Sequence, residues 1–186
     1  MHAFAFLLRH WLAAALLVLL AGWQPPAQAQ APRDSAVKAA FLYKFGSFVE
    51  WPAGSFRTPQ DPLVIGVLAD PPVAADLEQL VVGRTVEGRP VAVKVLKEGE
   101  PAAGVHVLFV GTLRPSKLRE LLAGLSGPVL VVTEQDGALQ SGSVINFVAD
   151  GARVRFNASL ASAEARGLRL SARLLAVASS VEGLQR

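Results

Sequence analysis

The 186-residue chain has no cysteine, one tyrosine, one methionine and three histidines. Without cysteine there is no disulfide, so stability must come from an ordinary apolar core, which a chain of this length can bury. His2 and His10 fall in a leader-like segment, so His106 is the only histidine after it. A zinc or copper site built from His and Cys is thereby excluded, and a Ser-His-Asp triad could draw only on His106. That residue lies within the apolar run Val105–Val110 and reads as a buried or pocket-rim strand histidine. Runs of lysine and arginine are also missing: bases alternate with acids, and the formal charge of +3 marks no nucleic-acid footprint. Nucleotide fingerprints are absent too. VGTLRPSK lacks the G-x-x-x-x-G-K-[ST] spacing, and no strand-like run is followed by G-x-G-x-x-G.

What is present begins with the leader. Arg9 and His10 precede the apolar run Trp11–Trp23, and Pro25-Pro26 and Ala27-Gln28-Ala29 follow. This is a charged n-region, an apolar h-region and an A-x-A cleavage site. A membrane span would need ~18 or more apolar residues, and the prolines stop the run early. Cleavage after Ala31 would set Pro32 at the scissile bond, so Ala29 is preferred. Residues 1–29 are read as a cleaved secretory signal peptide and 30–186 as one exported domain. Removing the leader takes away Arg9 and no acid, lowering the formal charge to +2.

The stretch Val37–Pro52 (VKAAFLYKFGSFVEWP) organises the rest. Wound as a helix, it gathers Val37, Phe41, Leu42, Phe45, Phe48 and Val49 on an arc roughly 140° wide. Ala39, Tyr43, Gly46 and Glu50 take the other side, Lys38 intrudes near the start, Asp34 or Ser35 offers an N-cap, and Pro52 ends the pattern. The stretch therefore reads as an aromatic-rich helix that needs a core or a partner. Downstream, Leu63–Ala69, Val105–Val110 and Pro128–Thr133 are continuous apolar runs of the buried-strand type, and Pro90–Leu96 alternates. Helical patterns at Ala74–Val82 and Pro115–Leu125 lie between them. Asp150-Gly151 joins Ser143–Ala149 to Ala152–Phe156 as an antiparallel hairpin, placed at the sheet edge with Arg153 and Arg155 facing water. A helix capped by Asn157 or Ser159 follows, and Ser171 caps a last one carrying Leu174, Leu175 and Val177. The expected fold is a three-layer α/β/α arrangement around a mostly parallel, Rossmann-like sheet with a C-terminal antiparallel hairpin and flanking helices.

In such a sheet, ligands usually bind beyond the carboxyl ends of the strands. Those ends carry Asp70, Gly111-Thr112 and Thr133-Glu134, so Asp70, Thr112 and Glu134 are the candidate ligand-binding residues. The helix after Gly111 could hold an anion with Arg114 or Lys117, as most such helix ends could. Asp70 and Glu134 could form an acid/base pair, but a capping Asp70 and a solvated Glu134 are the plainer reading. No catalytic or metal-binding residue is assigned, and no cofactor is expected. For a protein partner, the candidates are Tyr43 on the outer side of the opening helix, Trp51 at its end, and the hairpin arginines Arg153 and Arg155.

With those residues laid out, the chain resembles the YfiR family of small exported bacterial proteins. The carriers are the opening VKAAFLYKFGSFVEWP, then Gly142-Ser143 before Ile145-Asn146-Phe147, Phe156-Asn157, Gly167-Leu168, Ser171 and Leu174-Leu175. The strands LVIGVLAD, VHVLFVG and PVLVVTE fall between them in the expected order. The resemblance implies a periplasmic, non-enzymatic regulator of three-layer α/β fold, often dimeric. It would bind the periplasmic domain of an inner-membrane diguanylate cyclase and hold it inactive, lowering cyclic di-GMP and disfavouring biofilm growth. Cysteines that form disulfides in some members are missing here, Val105 stands before His106 where many members have Cys, and Ser143 replaces the second Gly of a Gly-Gly pair. An alternative is a periplasmic small-molecule binder using the strand-end crevice. A hydrolase using Asp70 or Glu134 fits least well.

Overall fold

The computed structural model describes residues 33–183, which contain five helices and ten strands. The expected signal peptide lies outside these residues. Helix α1 (Asp34–Phe45) opens the fold, followed by β1 (Val49–Glu50), β2 (Leu63–Leu68), α2 (Pro71–Val81), β3 (Thr85–Val86) and β4 (Arg89–Leu96). Then come β5 (Val107–Val110), α3 (Pro115–Gly124), β6 (Leu130–Thr133), β7 (Ile145–Asp150) and β8 (Arg153–Ser159). The chain closes with α4 (Leu160–Ala165), β9 (Arg169–Leu170), α5 (Ala172–Val177) and β10 (Ser180–Glu182). No described helix is long and apolar enough to cross a membrane.

Eight strands form one sheet in the order β10-β8-β7-β6-β5-β2-β4-β3, and β1 pairs β9 in a separate antiparallel ribbon. The run β4-β2-β5-β6-β7 is parallel throughout. The central strands β5 and β6 are buried at every position, as their continuous apolar runs require of strands covered on both faces. One face packs against α1, α2, α4 and α5, with Leu42, Phe45, Val73, Leu77, Ala163 and Leu174 meeting Ile65, Val67, Phe109, Val132 and Phe147. The other face meets α3, where Leu118 and Leu122 pack with Leu108, Val110 and Val131. These are the three layers that the alternation of strands and helices indicates, and the mixed α/β class is as expected.

The opening helix differs from its pattern. It ends at Phe45, and the chain turns at Gly46-Ser47 into β1, where Val49 faces Leu170 and Glu50 faces Arg169. Tertiary pairing overrides the local periodicity: Phe48 O accepts from Ser171 N at 2.9 Å, and Val49 is buried. Gly46 lies against Leu63, where an added Cβ would come within 2.4 Å of Leu63 Cδ2. Ala39, assigned to the outer side, is also buried, because α1 packs against α2 as well as the sheet. Arg33, not Asp34 or Ser35, is the N-cap. Ser35 Oγ instead donates to Asp76 Oδ2 at 2.6 Å, tying α1 to α2.

The hairpin is antiparallel as expected, with Ile145 opposite Ala158 and Asp150 opposite Arg153. Its position at the sheet edge is corrected: β10 pairs in parallel with Asn157–Ser159 and lies outside it. Strands as short as β1, β3, β9 and β10 carry too few residues to show an alternating pattern, and the periodicity reading missed all four.

Candidate functional site

Strand order changes direction between β2 and β5, because the chain leaves β2 for β4 on one side and returns with β5 on the other. Their carboxyl ends form the crevice where open α/β sheets usually bind ligands. Here the chain itself occupies that crevice. Gly111 N donates to Leu68 O at 2.8 Å, and a Cβ on Gly111 would lie 2.5 Å from Ala69 O. Asp70 Oδ1 accepts from Val73 N at 3.0 Å and caps α2, with Pro71 and Pro72 in the first turn where a missing N–H is harmless. Glu134 is not solvated; it pairs with Lys38 of α1, and both side chains are largely buried. Thr112 is exposed, and Lys117 pairs with Glu120 at 2.7 Å. Asp70 and Glu134 are thus engaged internally.

Behind the end of β6 lies a polar network that the sequence reading overlooked. Thr133 Oγ1 donates to Asn146 Oδ1 at 2.7 Å and stands 2.9 Å from Ser143 Oγ, and Asn146 Oδ1 also accepts from Gln135 N at 3.1 Å. Gln135 Oε1 in turn accepts from Leu113 N at 2.9 Å. Thr133, Ser143 and Asn146 are buried, and no buried side-chain N or O among the described residues lacks a partner. A fully satisfied network fixes register rather than presenting reactive atoms. The available signal was an asparagine inside an otherwise apolar strand.

His106 belongs to a second constellation. Its ring stacks on Phe56 with centroids 4.4 Å apart, Trp51 meets His106 edge-on at 5.9 Å, and the Arg89 guanidinium lies 4.0 Å over Phe56. Nδ1 accepts from Val64 N at 3.1 Å, so Nε2 carries the proton and donates to Ser55 O at 3.0 Å. Burial holds the His106 pKa below its usual value, with the Arg89 charge adding to the effect. Arg89 also donates to the carbonyls of Thr58 and Pro59 at 2.7 and 2.9 Å. The cluster pins the loop between β1 and β2 to the sheet, and Trp51 is half-buried within it.

The other partner candidates are scattered. Tyr43 is not free on the outer side of α1: its hydroxyl donates to Thr85 O at 2.9 Å and Arg84 lies 5.7 Å from its ring centroid. Arg153 and Arg155 are exposed on β8, and Arg155 Nε donates to Ser179 Oγ at 3.2 Å. Tyr43 is tied to β3, next to β4, whereas the arginines lie on β8 near the opposite end of the sheet, so they form no single patch.

The surface that sequence reasoning missed is apolar. Phe41 and Phe45 of α1, with Phe48 just after it, face Phe156, Leu174 and Val177 across a groove of about 360 Å³, with Lys44 at its rim. Phe45 and Phe156 floor it, their centroids 5.2 Å apart, and Val177 remains 59% exposed. A broader groove of about 840 Å³ runs between α3 and the β4–β5 loop, past Leu68, Ala102, Leu121 and Leu125. Among the described residues, no three His, Asp or Glu side chains gather to hold a metal.

Fold and surfaces together define a class: an α/β protein whose strand-end crevice is filled by its own caps and ion pair, and whose open surface is an aromatic groove. The YfiR/HmsC-like family profile matches residues 35–179, and the chain belongs to that family. This family comprises periplasmic regulators of diguanylate cyclases and is non-catalytic. No curated protein matches the chain.

Proposed function

We propose that this protein is an exported, non-enzymatic regulator that binds the periplasmic domain of an inner-membrane diguanylate cyclase and represses it, lowering cyclic di-GMP. The observation that carries this reading is the family match across residues 35–179. Export through the leader, with cleavage after Ala29, is part of the proposal. Two structural features are consistent with it. The polar groups at the strand ends are engaged in internal caps and pairs, and the aromatic groove between α1 and α5 offers an apolar surface for a partner domain. Repression needs only that the protein bind one conformation of the cyclase domain more tightly than the other. A few apolar anchors in a desolvated groove can supply that difference.

The test is intracellular cyclic di-GMP in a strain lacking the gene, with and without the exported protein restored. A rise on deletion, reversed by complementation, is expected; no change would detach the protein from cyclase control. The alternative reading, a small-molecule binder, gains an observation of its own in the groove beside α3. Thermal-shift screening against nucleotides and aromatic metabolites separates the two, since the regulatory reading needs no such ligand.

A further inference from the structure

Hydrogen-bonding side chains are almost absent from the groove between α1 and α5. Of its nine lining residues, eight are Val, Ala, Leu or Phe, and the ninth is Lys44. A nucleotide, a sugar or an amino acid entering here would leave several polar groups unpaired, at a cost that no lining side chain offsets. Along α1 the trough runs from Val37 to Lys44, about 10 Å, with the charge at one end. The helix end does not cancel that charge. Lys44 O accepts from Ser47 N and Phe45 O from Phe48 N, both at 3.0 Å, so these carbonyls are engaged. Elsewhere at the α1 layer the bases are committed, Arg33 to Asp76 and Lys38 to Glu134. Lys44 is exposed and has no acidic partner among the described residues. Arg173 also has none, and it stands one turn before Val177 on the same side of α5.

We infer that this groove is a binding site for a monomeric aliphatic carboxylate, its chain on the Phe45 and Phe156 floor and its head group at Lys44. Such a molecule has one polar group, and the groove has one side chain to meet it. The chain asks for no hydrogen bond and gains from every methylene removed from water. Lys44 reaches the rim with its stem over apolar surface and its ammonium in water. The carboxylate therefore stays partly hydrated, and the cost of burying an ion pair is avoided. A cationic amphiphile would meet Lys44 as a like charge, and an uncharged chain would leave it unused. The groove is the one proposed above for the cyclase domain, and the inference rests on that reading in one respect only: the two occupants would exclude each other. Carboxylate binding itself requires no cyclase.

The test is calorimetric titration of the purified exported protein with decanoate below its micellar concentration, where binding at a single site is expected. Shortening the chain to octanoate should weaken binding about fourfold for each methylene lost. Decanol and decylamine, which keep the chain and change the head group, should both bind more weakly than decanoate. Lys44→Glu should reverse the order, placing decylamine above decanoate. Because Lys44 is exposed, that variant keeps its fold, which circular dichroism checks. Val177→Asp, which sets a like charge on the opposite wall, should abolish decanoate binding. Decanol matching decanoate, or a Lys44→Glu protein that keeps the original order, would overturn the inference. So would decanoate binding that Val177→Asp leaves intact, since the chain would then lie elsewhere. Absence of any decanoate binding would overturn it as well, while leaving the cyclase reading to its own test by cyclic di-GMP in cells.

Discussion

At the scale of single residues, His106 shows how one side chain can be functional in appearance and structural in practice. Its two ring nitrogens are both used, one accepting from Val64 N and the other donating to Ser55 O. A proton added at Nδ1 would face the Val64 N–H and break that bond. Because burial lowers its pKa in the folded chain, the unfolded state binds the proton more readily, so stability falls with pH. The loss begins near the ordinary histidine value of 6.5 and ends below the lowered folded value. The groups facing the ring are Arg89, which opposes protonation, and Asp61, which favours it. We expect Tm to fall between pH 7.5 and 5.5, and His106→Asn to flatten that fall; a slope unchanged in the variant would refute the assignment. Asp70 has the opposite character, since its value lies in one capping bond. Asp70→Ala should cost about 1 kcal/mol, or a drop of roughly 2–4 °C in Tm, whereas Asp70→Asn keeps the cap.

At the scale of elements, the strands with continuous apolar runs and the helices between them were legible because each run is long enough to show its period. The opening helix was legible in kind but not in extent. Phe48 and Val49 continue the helical arc, yet Val49 pairs with Leu170 of β9 and Phe48 O accepts from Ser171 N, and nothing local to α1 encodes partners so far along the chain. Ala39 was misplaced for a related reason: a helix packed against both a sheet and a second helix has two buried sides, and small residues serve the closer one. Gly111 shows the same blindness to long-range contact. Its sequence context suggests only a turn, but it ends β5 where the backbone passes within Cβ distance of Ala69 O. Gly111→Ala should therefore force β2 and β5 apart at their carboxyl ends and cost on the order of 1–3 kcal/mol, measured by urea denaturation. Gly124→Ala, which meets nothing within 4 Å, serves as the control and should not destabilise.

At the scale of the whole molecule, the residues chosen from sequence as candidate sites were those whose types often carry chemistry, and the fold uses several of them elsewhere. Asp70 caps a helix, Glu134 holds Lys38, Tyr43 reaches Thr85, and Trp51 packs with Phe56 and His106. The apolar groove was invisible because its walls, α1 and α5, are separated by most of the chain, and only the excess of phenylalanine on α1 hinted at it. This division makes the proposed function separable from stability. Phe45 is buried in the core, and Phe45→Ala should cost about 3–5 kcal/mol whatever the protein binds. Val177 lies on the groove rim and contributes little to the fold, so Val177→Asp should leave the urea midpoint nearly unchanged while placing a charge where a partner's apolar anchor must be desolvated. In the deletion strain, Val177→Asp is expected to fail to lower cyclic di-GMP despite normal abundance, and the doubly neutralised Asp70→Asn, Glu134→Gln protein is expected to restore it. The reverse pattern, with the groove variant active and the neutralised variant dead, would move the functional surface from the groove to the strand ends.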